Sequence, residues 1–197
     1  MNSKLSLRKK IALELFIKYR DNAKKLHQLN YIFWECTLRC NLNCLHCGSD
    51  CKKEALVKDM PISDFIGAID DVSGIVEPNK TMIVLTGGEP LVRTDLEICG
   101  KQLYERGFPW GMVSNGFHLT SKRLQSLLQA GLRAVTISLD GLENSHNWLR
   151  GNPKSFENAV NAVGLLAETE DLKFDVVTSV NQKNLNELDQ IKVLLLS

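Results

Sequence analysis

Thr81-Met82-Ile83-Val84-Leu85-Thr86-Gly87-Gly88-Glu89-Pro90 begins as an apolar run and ends in two glycines, a carboxylate and a proline. A run without polar alternation suits a strand buried on both faces, as in a parallel sheet. Four other stretches read the same way: 31–36 (YIFWEC), 110–114 (WGMVS), 134–139 (AVTISL) and 174–180 (FDVVTSV). Helical patterns fall between and after them, near 63–75, 94–106, 121–130, 154–168 and 185–196. Ser63, Thr94 and Ser121 are the expected N-caps, and Gly107 and Gly131 sit where helices should stop. Five successive β-then-α units give an α/β fold with a parallel sheet, either barrel-like or doubly wound. Function in such folds collects at the carboxyl ends of the strands. The unusual residues stand there: Cys40 to Cys51, Gly87 to Pro90, Ser114 to Gly116, and Asp140 with Gly141.

Ahead of the first strand, Ala12, Leu15, Phe16, Tyr19, Ala23 and Leu26 recur at steps of three and four, which predicts an amphipathic helix over 4–28. Residues 1–29 carry eight Lys or Arg against Glu14 and Asp21, a net +6, so the rest carries −5 of the chain's overall +1. A basic arm on an acidic body suits contact with an acidic membrane surface or a partner. The expectation here is the plainer one, a helix packed on the main domain with its basic face in water. The whole chain has 197 residues, 44% hydrophobic and 24% charged, too apolar and too nearly neutral for a disordered protein. No apolar run approaches the roughly 20 residues needed to cross a bilayer. No small-residue cleavage site of a secretory signal follows the basic start. An acidic body without a basic groove and interleaved aromatics argues against nucleic acid as a partner. The apolar run 191–196 has no later strand to cover it, and a five-stranded barrel cannot close. The chain therefore reads as a fragment of a longer protein.

Of six cysteines, Cys36, Cys40, Cys44, Cys47 and Cys51 fall within 16 residues, and Cys99 stands apart. Without an export signal, such a cluster argues for metal rather than disulfides. Cys40, Cys44 and Cys47 lie in a loop after the first strand. Three thiolates there can hold three corners of an iron–sulfur cluster and leave one iron open. Zinc is the alternative, with Cys36, Cys51 or His46 as a fourth ligand. Cys36, Cys51 and Cys99 otherwise read as buried structural cysteines.

Trp34-Glu35-Cys36-Thr37-Leu38-Arg39-Cys40-Asn41-Leu42-Asn43-Cys44-Leu45-His46-Cys47 resembles the cluster loop of the radical S-adenosylmethionine (radical SAM) superfamily. The resemblance covers about residues 31–196. It implies a partial (β/α)6 TIM-like barrel with parallel strands, the N-terminal amphipathic helix (1–29) preceding a core domain (30–197). It also implies a 4Fe–4S cluster on Cys40, Cys44 and Cys47, with S-adenosylmethionine on the open iron. His46 fills the family's aromatic slot near the adenine, as a wall residue. Gly87, Gly88 and Glu89 match the segment assigned to the methionyl amino group. Ser138 and Asp140 match the cofactor-binding position after the fourth strand, and Ser114 and Asn115 match a loop lining the same cavity. Arg150 matches an arginine that pairs with the cofactor carboxylate, a surface ion pair being the other reading. The family's glycine-rich adenine motif is missing from Val176-Val177-Thr178-Ser179-Val180-Asn181, so the adenine contacts stay unassigned.

By the same resemblance, the reduced cluster cleaves S-adenosylmethionine to a 5′-deoxyadenosyl radical that takes hydrogen from a substrate. An electron donor of flavodoxin or ferredoxin type is implied, in a reducing cytoplasm that spares an open cluster. Ser138-Leu139-Asp140-Gly141, Arg150-Gly151 and Ser155-Phe156 resemble members with a SPASM or twitch extension, which would lie beyond Ser197. Peptide or protein substrates are the leading expectation, and haem or other cofactor synthesis on a small-molecule substrate is the second. A non-catalytic zinc or iron–sulfur module is the rival of another class. An inactive fragment of a real enzyme is a third possibility.

Overall fold

A computed structural model of the chain describes residues 5–49 and 51–196. Contacts divide the chain into two units, one running to Asn30 and one starting at Tyr31. The first holds helix α1 (Leu7–Leu26), whose N-cap is Ser6, its side chain accepting from the Lys9 N–H. The expected start at Lys4 lies outside the described residues. None of the residues of α1 is buried, and Leu15, Phe16, Tyr19 and Leu26 are all exposed. No described helix is long and apolar enough to cross a membrane.

The second unit runs β1 (Tyr31–Thr37), α2 (Ile62–Ser73), β2 (Met82–Gly87), α3 (Leu96–Glu105), β3 (Trp110–Ser114), α4 (Ser121–Gln129), β4 (Leu132–Ser138), α5 (Glu143–Arg150), α6 (Ser155–Ala167), β5 (Lys173–Val177) and α7 (Leu188–Leu196). The strands form one parallel sheet in the order β1-β2-β3-β4-β5. Doubly wound folds reverse strand order at a switch point. This sheet never reverses, so successive right-handed crossovers put the helices on one face, and the fold is a partial, open barrel.

Alternation along the strands sorts the two faces. Trp34, Ile83, Leu85, Met112, Val135 and Ile137 point outward into a core closed by Phe65, Ile66 and Ile69 of α2, Leu96, Cys99 and Leu103 of α3, Leu124 and Leu127 of α4, and Ala159, Ala162 and Leu166 of α6. Trp34 stacks on Phe65 with ring centroids 4.1 Å apart. The other face is concave. Register places Phe33, Val84, Gly111, Ala134 and Lys173 in one row across it, and Glu35, Thr86, Val113, Thr136 and Asp175 in the next row toward the carboxyl ends.

Element boundaries differ from the sequence expectations where side chains compete with the backbone. Thr120, not Ser121, caps α4, its hydroxyl accepting from the Arg123 N–H at 3.2 Å. Pro61 and Asp95 stand at the N-cap positions of α2 and α3, in place of Ser63 and Thr94. Gly107 and Gly131 do follow helix ends, with φ of 81° and 91°. β5 stops at Val177 rather than at 180. There Thr178 Oγ1 donates to the Leu139 carbonyl and the Ser179 N–H donates to Asp140, which turns the chain inward. Helix α5 has no counterpart in the sequence reading.

Candidate metal and cofactor site

The cysteine loop leaves β1 and is pinned at both ends. Cys40 N–H donates to the Lys52 carbonyl at 2.8 Å and Lys52 N–H to the Leu38 carbonyl at 3.3 Å. Its middle is held by α5: the Leu45 N–H donates to the Leu149 carbonyl at 2.8 Å. Gly151, the left-handed C-cap of α5 with φ 64°, lies so close to the loop that a Cβ there would sit 2.7 Å from the Asn43 carbonyl oxygen. Cys40 is buried, Cys44 half-buried and Cys47 exposed, and all three are free thiols. Burial raises the pKa of the Cys40 and Cys44 thiols, with the Arg150 charge opposing it at Cys44.

These thiols line a cavity of about 230 Å³ at the carboxyl ends of the strands. The structure brings His46, Gly87, Gly88, Ser114, Asn115, Ser138 and Arg150 to its lining with them, together with Cys51, the alternative zinc ligand, and with Gly48, Thr86 and Val113, which the sequence reading did not single out. Cys51 is buried as expected, its thiol raised to about 11 chiefly by burial, yet it is part of this wall. Cys36 and Cys99 are core residues, raised to about 12 and about 11 mainly by burial.

Gly87 and Gly88 bring backbone to the cavity. Gly87 has φ 110°, and a Cβ on Gly88 would lie 2.1 Å from the Arg39 carbonyl oxygen. The Gly88 N–H donates to Thr37 and the Glu89 N–H to Arg39, at 2.7 and 2.9 Å. The two motif loops are thus stitched together through main chain.

Two expected contact residues stand behind the cavity wall instead of on it. Glu89 is fully buried. Its carboxylate accepts from Ser114 Oγ at 2.8 Å, from the Leu91 N–H at 3.1 Å and from the Asn115 N–H at 2.7 Å. Burial pushes the pKa of this carboxyl upward, and the three donors pull it back. The side chain fastens the β2 loop to the end of β3. Asp140 is likewise 1% exposed. One oxygen accepts from Arg150 Nε at 2.7 Å and Nη2 at 2.6 Å, the other from the Ser179 N–H at 2.8 Å. Arg150 therefore makes a buried ion pair, not a surface one, and presents Nη1 to Cys44 Sγ at 3.7 Å. His46 Nε2 lies 4.0 Å from the same Asp140 oxygen, and its pKa is lowered, first by burial and then by Arg150. Asn115 is both turn and wall. Its Oδ1 accepts from the Phe117 N–H at 2.9 Å, while Nδ2 donates to Asn41 at 2.9 Å and stands 4.0 Å from Cys40 Sγ.

Sequence reasoning missed His146, which is fully buried. Its Nδ1 accepts from the Asp140 N–H at 3.0 Å, so Nε2 carries the proton and donates to Ser155 Oγ at 3.0 Å. Asn184, also fully buried, donates to the Asp140 and Ser179 carbonyls. Neither residue had a motif neighbour to mark it.

The donor set fits an iron–sulfur cluster. Soft thiols surround one opening, with a guanidinium beside one sulfur and an amide beside another, and such donors hold and tune thiolate-bound iron. Asn41 Nδ2, in the same loop, is buried with no partner among the described residues. No three His, Cys, Asp or Glu side chains converge on a single-ion site among the described residues. Three ligands to separate corners of a cube require no such convergence.

Comparison with known proteins agrees. The family profile of the Radical SAM superfamily matches residues 34–192. This chain belongs to that superfamily, whose cofactors are a 4Fe–4S cluster and S-adenosylmethionine. An AdoMet-dependent heme synthase of Methanosarcina barkeri is 31% identical over 158 residues, 80% of this chain and 44% of that protein. An Fe-coproporphyrin III synthase of the same organism is 28% identical over 188 residues, 91% of this chain and 46% of that protein. The structure of Streptococcus suis SuiB bound to S-adenosylmethionine shares the fold, with TM-score 0.67 and 13% identity over 98% of this chain and 44% of SuiB. The chain thus spans less than half the length of these relatives.

Proposed function

We propose that the chain is the catalytic core of a radical SAM enzyme that modifies a small molecule in haem or related cofactor synthesis. The carrying observation is the single cavity that gathers Cys40, Cys44 and Cys47 with the Gly87-Gly88 backbone. When bound there, the cluster and S-adenosylmethionine supply one-electron cleavage of a carbon–sulfur bond and a carbon radical able to take hydrogen from substrate. The protein supplies position and exclusion of water. Cys40, Cys44 and Cys47 hold the cluster. The Gly87-Gly88 backbone and Ser138 bind the cofactor, with Ser114 and Asn115 completing the wall and His46 packing at its edge. Glu89 and Asp140 fix that wall from behind. An apolar cavity of about 300 Å³ on the concave sheet face, lined by Tyr31, Phe33, Met82 and Val84 among others, shares Val113 with the cofactor cavity. It is the place for substrate. An electron donor of flavodoxin or ferredoxin type serves the cluster.

The sequence relatives support the haem and cofactor reading over the peptide reading that led the sequence expectations. Anaerobic reconstitution with iron and sulfide, followed by an assay for 5′-deoxyadenosine, tests the core of the proposal. Cofactor cleavage is expected in the wild type and in Cys36→Ser and Cys99→Ser. It should vanish in Cys40→Ala, Cys44→Ala and Cys47→Ala. Tight zinc binding without any cofactor cleavage would overturn the reading.

A further inference from the structure

Helix α5 meets the cysteine loop at three consecutive residues. Leu149 accepts from Leu45, Gly151 packs beneath Asn43, and Arg150 between them points Nη1 at Cys44 Sγ, 3.7 Å away. A guanidinium engaged only in an ion pair would end at its carboxylate. Here Asp140 takes Nε and Nη2 side by side, which orients the planar fork and leaves Nη1 for the sulfur. The carboxylate is fixed in turn by the Ser179 N–H, and its own backbone by His146 and Asn184. The Arg150 side chain is 11% exposed and that of Asp140 1%, so water screens this charge poorly.

We propose that Arg150 is a positioning residue that raises the reduction potential of the cluster by donating an N–H to the Cys44 sulfur. The inference rests on the cluster assignment made above. With a cluster held by Cys40, Cys44 and Cys47, one electron from a donor of the ferredoxin class would add negative charge beside the Cys44 sulfur. The N–H···S bond, with a guanidinium that acts on Cys44 more strongly than the opposing Asp140 carboxylate, would stabilise the more negative state, so the reduced form is favoured. No proton moves and no covalent bond is made or broken at Arg150.

The experiment is an EPR-monitored redox titration of anaerobically reconstituted wild type, Arg150→Gln and Arg150→Lys. Arg150→Gln should keep the cluster spectrum and titrate at a clearly more negative potential. Arg150→Lys keeps the charge but loses the fork, and should fall between the two. If Arg150→Gln takes up no cluster, Arg150→Lys decides alone. A variant that holds an intact cluster at the wild-type potential, or at a more positive one, overturns the inference while leaving the cluster assignment standing. A wild type that forms no 4Fe–4S signal overturns the assignment and this inference together.

Discussion

Glu89 shows how a motif residue braces a site from behind its wall. Its three donors fill most of the carboxylate's acceptor positions, two on Oε1 and one on Oε2, and each donor loses its acceptor if the side chain is cut back. Glu89→Ala should strand the Leu91 and Asn115 N–H groups and cost about 2–5 kcal/mol, read as a lower denaturant midpoint. Gly88→Ala drives a Cβ into the Arg39 backbone, where no side-chain rotation relieves it. A loss of about 3 kcal/mol and reduced iron content per chain are expected. His146 makes stability depend on pH. Burial, with Arg150 nearby, lowers its pKa from 6.5 to about 4, so it is neutral in the fold while the unfolded chain protonates first. Its contribution is fully present above pH 6.5 and is lost as pH falls toward 4, about 3 kcal/mol in all. Urea midpoints measured from pH 7 to 4 should fall, and less steeply in His146→Gln than in wild type.

At the scale of elements, the strands were readable because their composition already states that both faces are covered or line a cavity, and each ends in a chemical break. Trp110 to Ser114 was placed to the residue. Helix α5 was not readable. Glu143–Arg150 has apolar residues only at Trp148 and Leu149, and its buried anchor is a histidine satisfied by partners up to nine positions away. Hydrophobic periodicity carries no trace of that. The same limit explains Glu89 and Asp140, whose residue types suit a ligand contact and whose burial only tertiary structure reveals. The function of α5 is tested at its end. Gly151→Ala forces a side chain into left-handed backbone and against the Asn43 carbonyl. It should cost about 1–2 kcal/mol and loosen the cysteine loop, seen as faster cluster loss to a chelator with the far-UV spectrum kept.

For the whole molecule, stability should be unequal between the two units. The sheet and its helices share one continuous core, whereas no residue of α1 is buried. Single helices of this length are marginal in water. Amide exchange over Leu7–Leu26 should therefore be fast, while Ile83, Leu85 and Ile137 exchange only on global opening. Strand order equal to chain order lets each βα unit dock on the one before it as the ribosome delivers it. The grip on the cysteine loop does not follow that rule, because Arg150 trails Cys44 by 106 residues. At ordinary synthesis rates the thiols wait roughly 5–20 s for the helix that holds them. On the proposed cluster assignment, metal loading is expected to be a late event in the life of the chain: iron delivered before α5 emerges would meet a tether, and iron delivered afterwards a socket.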